Sequence, residues 1–160
     1  MKEFGHMAAF AAHLTTMAVA VKKSEHRILD RIGKQVKKRA KAKIGEYQEA
    51  APPFAGWAEL ADSTKADRAR QGYPEDEPLL RSGAMRDSIG HKVHGTEVTI
   101  GSDSDIAVYQ ELGTEHIPPR SFLGGAMAEE LPRLKEILGE EIVAALVGKD
   151  VFQGKLPIGE

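Results

Sequence analysis

The side chains best suited to chemistry in this sequence are six histidines, His6, His13, His26, His91, His94 and His116, because imidazole titrates near neutral pH and binds metals readily. Their spacing supplies no site. His91 and His94 fall an odd number apart on a predicted strand and so point to opposite faces, and no His-Glu-x-x-His helix occurs. Asp103-Ser104-Asp105 superficially resembles the start of a calcium loop, but the glycine at its sixth place and the glutamate at its twelfth are missing. Capping of a helix by Asp103 or Ser104 accounts for these residues better. The absence of cysteine excludes disulfides, thiolate nucleophiles and cysteine-based zinc sites, and no glycine-rich loop of Walker or dinucleotide type is present. Arg120 can pair with Glu111 or Glu115, yet no nucleophile accompanies it. The sequence predicts no enzyme, no cofactor and no metal centre.

Residues suited to docking are a different matter. Gly113 follows an apolar, helix-compatible run (Ile106, Ala107, Val108, Tyr109, Leu112) at the place where a helix ends on glycine. Pro118 and Pro119 then hold the chain extended, since each ring fixes its own backbone angle and the first restricts Ile117. Arg120 and Phe122 are expected to project from this stiff strap, a cation beside an aromatic being a frequent anchor of protein contacts. Tyr109, Glu111, Ile117, Pro118, Pro119, Arg120, Phe122 and Leu123 are therefore the predicted partner-binding residues. On this reading, removing Arg120 or Phe122 leaves the monomer folded.

The strap needs a frame. Phe10, Leu14, Met17, Val21, Ile28, Ile32 and Val36 recur mostly at three, four or seven residues, which predicts one long amphipathic helix over about residues 8–43. Such a helix runs about 50 Å, longer than a domain of this size covers, so part of it is expected to rest on another subunit. Gly33 weakens it by roughly 1 kcal/mol relative to alanine. Its last turns carry Lys34, Lys37, Lys38, Arg39, Lys41 and Lys43, the candidate nucleic-acid contacts of the chain. Cations at a helix C-terminus are also favoured by the macrodipole alone.

Gly45 can end that helix, and residues 46–56 read as a loop or arm. Trp57 is expected to open a helix to about Arg70 and to serve as a core anchor. After a loop over 71–77, the period changes to two. Gly95-Thr96 makes a two-residue turn that pairs Val93 with Val98, His91 with Ile100 and His94 with Glu97. A two-stranded hairpin is marginal alone, so helices must cover it. Met127, Leu131, Leu134, Leu138, Ile142 and Ala145 give a C-terminal helix to about Val147, with Pro132 either in its first turn or inside it. Residues 148–160 keep Val151, Phe152, Leu156 and Ile158 without periodicity, as an arm that orders against a neighbour. The expected fold is α+β in a single domain (1–160): a long N-terminal helix (1–45) and a C-terminal helix packed on a small antiparallel sheet with a central hairpin (core 46–147), then the arm.

The 22 basic and 24 acidic residues give a net charge of −2, which speaks against a surface that coats nucleic acid. Residues 4–21 approach a membrane-spanning length, but His6, His13, Thr15 and Thr16 interrupt them and alanine supplies much of their apolar count. Lys2 and Glu3 with no compact leucine-rich centre also argue against a signal peptide, so the chain is read as non-membrane and cytoplasmic when made.

The order Gly101-Ser102, Tyr109, Glu111-Leu112-Gly113-Thr114, Pro118-Pro119-Arg120-Ser121-Phe122-Leu123 is similar to the signature of the tail-completion and head-to-tail joining proteins of tailed bacteriophages, the virion morphogenesis or minor tail component family. Trp57, Leu60 and Thr64, followed by Pro78-Leu79-Leu80-Arg81-Ser82-Gly83-Ala84-Met85-Arg86-Asp87-Ser88-Ile89, resemble a second recurrent block. The resemblance spans about residues 57–146, with Ser121 where many relatives carry proline and no recognisable motif in the first fifty residues. It implies a structural virion protein of the neck or tail end, arranged as a homo-oligomeric ring. Head-closure or connector proteins and a tail terminator or tail tube are the implied partners, in the virion and, during assembly, in the host cytoplasm. The alternative from the residues themselves is a DNA-binding module using 34–43, or transient contact of that segment with passing DNA.

Overall fold

In the computed structural model, which describes residues 7–147, the chain is organised along one helix, α1 (Met7–Lys43). Its apolar stripe buries Ile28, Val36 and Ala40, with Ile32 packed beside them. The helix ends where Gly45 takes φ +107°, and its amide donates to the Pro78 carbonyl at 2.9 Å. Short helices α2 (Asp62–Arg70) and α3 (Ala84–Ser88) follow, then the hairpin β1 (Gly90–His94) and β2 (Glu97–Gly101), α4 (Asp105–Leu112) and α5 (Leu123–Val147). The α+β architecture with long N- and C-terminal helices is the expected one.

The hairpin has the predicted register, with Val93 opposite Val98, His91 opposite Ile100 and His94 opposite Glu97. Gly95 supplies the positive φ (+57°) of its turn. Both strands pack on α1, and the contact is close enough to explain Gly33. A Cβ at that position would lie 2.4 Å from His91 Cδ2 and 3.0 Å from Val98 Cγ2. The glycine that weakens the helix is therefore what lets the sheet approach it. His91 Nε2 lies 2.9 Å from Asp30 Oδ1, fastening the same contact.

Helix α5 runs antiparallel to α1 and is tied to it by polar pairs: Arg31 to Glu141 at 3.0 Å, Gln35 to Glu130 at 2.8 Å, and both Arg39 and Lys43 to Glu129. Pro132 lies inside α5, well past its first turn, on an exposed stretch. Trp57 is a buried core anchor, but the helix expected to start there begins only at Asp62. The backbone of 57–60 is engaged elsewhere: Trp57 N–H donates to the Gln48 carbonyl and Leu60 N–H to the Tyr47 hydroxyl. Those bonds draw the segment out of helical pairing. Ser104 stands at the N-cap of α4 without a side-chain cap bond; the hydroxyl of Ser102 takes its amide instead. The arm over 148–160 lies outside the described residues.

Candidate partner-binding surface

The geometry of the strap begins at Gly113. That residue has φ +76° and ψ 172°, a region open almost only to glycine, and a Cβ there would sit 2.9 Å from the Ile117 carbonyl oxygen. Thr114 folds the loop on itself, its amide donating to the Ile117 carbonyl and its hydroxyl accepting the Ile117 amide at 3.1 Å. Arg120 N–H then returns to the Gln110 carbonyl at 2.7 Å.

The side chains expected to project do the opposite. Phe122 is 0% exposed and sits in the core with Trp57, Val36 and Ile137. Arg120 is 4% exposed, and its guanidinium donates to the carbonyls of Ala58 (2.8 Å) and Glu59 (3.2 Å) rather than pairing with Glu111 or Glu115. Burial lowers its pKa from the ordinary arginine value. The reason is local supply: the non-helical 57–60 segment leaves carbonyls that need donors, and Arg120 is the fork that reaches them.

Glu111 has a role that its place in a helix did not reveal. Its Oε2 accepts the amides of Phe122 and Leu123, both at 2.8 Å, while Oε1 accepts the Gly124 amide at 2.9 Å and the Ser121 hydroxyl. Helix α5 has no acidic residue in its own first turn. A carboxylate from the preceding helix thus satisfies its free amides and complements its dipole. That missing acid was the one available clue.

What the 106–119 region does present outward is the apolar face of α4. Ile106, Val108 and Tyr109 are each more than half exposed, Leu112 is 73% exposed, and Pro118 and Pro119 are exposed beside them. Leu123, by contrast, is partly buried against the core.

The basic run does not form one surface. Lys43 is 4% exposed, held between Glu129 and the Gln48 amide oxygen; Arg39 shares Glu129, and Lys34 pairs with Asp30 at 2.6 Å. Lys41 reaches the Asp87 carbonyl. Among the described residues only Lys37 and Lys38 of the six carry no such bond, which corrects the expectation of a six-cation patch. A helix facing an acidic partner helix buries its cations as readily as it solvates them.

The opposite end of α1 is the reverse case. No residue of 7–22 is buried, and 7–21 carries no Asp, Glu, Lys or Arg. Leu14 (47% exposed) and Val19 (50%) project from nearly opposite faces. The Arg31–Glu141 pair fixes the alignment with α5, so Val147 reaches only to about residue 25 of α1 at 1.5 Å per residue. Roughly 25 Å of α1 overhangs the described part of α5. No helix among the described residues is long and apolar enough to cross a membrane, and no group of three or more His, Asp or Glu residues among them is placed to hold a metal ion.

The sequence profile of the phage virion morphogenesis family matches residues 7–142. The chain belongs to that family. No curated protein and no solved structure matches it. Membership gives the chain a part in building the phage virion. The family match takes in all of α1, overhang included, and so reaches well beyond the blocks from Trp57 onward that carry recognisable motifs. In this phage morphogenesis protein those blocks are largely internal bracing: Trp57 and Phe122 in the core, Glu111 on α5, Gly113 and Arg120 in the strap.

Proposed function

We propose that this protein is a structural, non-enzymatic subunit of the neck or tail end of a tailed phage, completing the tail and joining it to the head as a homo-oligomeric ring. The observation that carries this reading is the uncharged overhang of α1. A helix apolar on opposite faces is stable when buried on both, and a ring places each overhang between two neighbours. The exposed face of α4 (Ile106, Tyr109, Leu112) is a second, different apolar patch. Two unlike patches are what a head-to-tail closed interface needs, and contiguous exposed apolar surface marks interaction sites in general. Head-closure or connector proteins on one side and a tail terminator or tube on the other are the partners this role requires. The burial of Lys43 and the pairing of Arg39 and Lys34 weigh against a DNA-binding module.

The reading is tested by size-exclusion chromatography with light scattering, followed by electron microscopy. A single closed species at a fixed multiple of 17.4 kDa, seen as rings, is the expected result. A monomer at every concentration, with no incorporation into particles, would overturn it.

A further inference from the structure

Three separate stretches, within 59–68, 79–85 and 104–120, enclose a cavity of about 600 Å³. Leu60, Leu79, Met85, Ile106 and Ile117 give it apolar walls. Leu79 holds a left-handed conformation (φ +63°) that a branched side chain adopts only against strain, so this wall is maintained at a cost.

Three guanidiniums and two carboxylates line the same space; of these, exposed Arg81 pairs with Asp67 at 3.6 Å and Glu59 lies 4.0 Å from Lys65, which leaves Arg68 and Arg120. Arg68 is 8% and Arg120 4% exposed, and the hydrogen bonds of both run to backbone carbonyls: Arg68 to Glu77 and Leu80, Arg120 to Ala58 and Glu59. Carbonyls satisfy donors but do not neutralise charge. Arg81 acts against the charge of Arg68; Tyr47, Glu77 and Asp76 favour it only from beyond ion-pair distance, and no carboxylate acts on Arg120, whose neighbours are Tyr47 and Arg68. Buried cations with no carboxylate at ion-pair distance are costly, and a carboxylate that reaches them would relieve that cost. On the same wall Gln110 keeps a buried Oε1 with no donor, an acceptor suited to a backbone N–H.

We propose that this cavity receives an acidic side chain carried on an apolar peptide segment of another virion protein. Its carboxylate meets Arg68 and Arg120, its flanking apolar residues fill the Leu60, Leu79 and Ile117 walls, and its amide meets Gln110. The source of the segment rests on the assembly role proposed above; the chemistry of the cavity does not. A nucleic-acid backbone fits less well, because both cations are buried instead of set along an exposed rim that could track phosphates.

The test uses the full-length chain, isotope-labelled to display arginine Nε–Hε resonances. It is titrated with acetylated pentapeptides bearing a central Glu flanked by Leu, Ile, Val or Phe, each alongside its Gln twin. The acidic members are expected to shift the Arg68 and Arg120 resonances saturably and to bind about tenfold more tightly than the twins, the difference of one charge-assisted contact. Thr64→Trp, at the exposed mouth, should abolish the shifts while leaving the thermal transition in place. Equal affinity of acid and amide, or no saturable shift, would overturn the proposal. So would equal shifts with inorganic phosphate, which would make this an anion site, or shifts on concentrating the chain alone, which would make a second copy the occupant. Light scattering on the same samples reports ring formation separately, so failure of the cavity and failure of the ring are distinguishable.

Discussion

The strap over 117–123 and the overhang of α1 both have the composition of assembly surfaces, and they differ in what the rest of the chain offers them. The strap is claimed by its own domain: Glu111 takes its amides, Ala58 and Glu59 take Arg120, and the core takes Phe122. In the overhang none of residues 7–22 is buried, and Leu14 and Val19 are about half exposed on nearly opposite faces. An arginine beside an aromatic reads the same whether it anchors a partner or braces its own fold. Free carbonyls within reach decide which, and these belong to residues some sixty positions earlier in the chain.

If the strap is internal bracing, substitutions in it should injure folding first. Phe122→Ala is expected to cost about 3–5 kcal/mol in urea denaturation, the range for emptying a buried aromatic site. A change below about 1 kcal/mol, with assembly lost, would return Phe122 to the surface role that its sequence suggested. Glu111→Ala should cost roughly 2–4 kcal/mol, because several amides at the start of α5 lose their acceptor at once. Glu111→Gln, which keeps an acceptor oxygen, should recover part of that loss.

A smaller effect tests how firmly α1 holds the hairpin, which separates its braced half from its overhang. Gly33→Ala gains about 1 kcal/mol of helix propensity but drives a methyl into His91, so a net loss of about 1 kcal/mol is expected in the same denaturation assay. A net gain would mean that the sheet yields easily.

The charge contacts of the braced half add a pH signature. Asp30 is held at about 2 by its bond to Lys34 and then by His91. A carboxylate with a depressed pKa stabilises the fold above its unfolded value near 4, and that stability disappears as pH falls towards 2. Glu129 is shifted in the same sense: burial alone would raise it, but Lys43 and Arg39 outweigh burial. Acid titration followed by circular dichroism should therefore show loss of structure between about pH 4 and 2, shallower in Asp30→Asn.

The legible parts of the fold were those set by local periodicity and turn chemistry. The span of α1, the hairpin register through Gly95-Thr96 and the stop at Gly113 all follow from neighbours in sequence. The strap was legible as a segment but not in the orientation of its side chains. Glu111 looks like any surface glutamate of a helix until α5 is seen to start against it, and Lys43 looks solvated until Glu129, 86 residues later, lies beside it. Long-range polar pairs leave no periodic trace, so residue types alone assigned Arg120 and Lys43 to the wrong side of the surface.

The central claim is that assembly proceeds through the overhang while the strap is already formed in the single chain. Hydrogen exchange at low and at assembling concentrations tests it directly. Amides of 110–124 should be equally protected in both states, whereas those of 7–21 should exchange fast when dilute and slow by orders of magnitude on assembly. Leu14→Glu with Val19→Glu should leave the dilute pattern unchanged and remove the gain. Full protection of 7–21 in the monomer, or protection of the strap that appears only on assembly, would contradict the account.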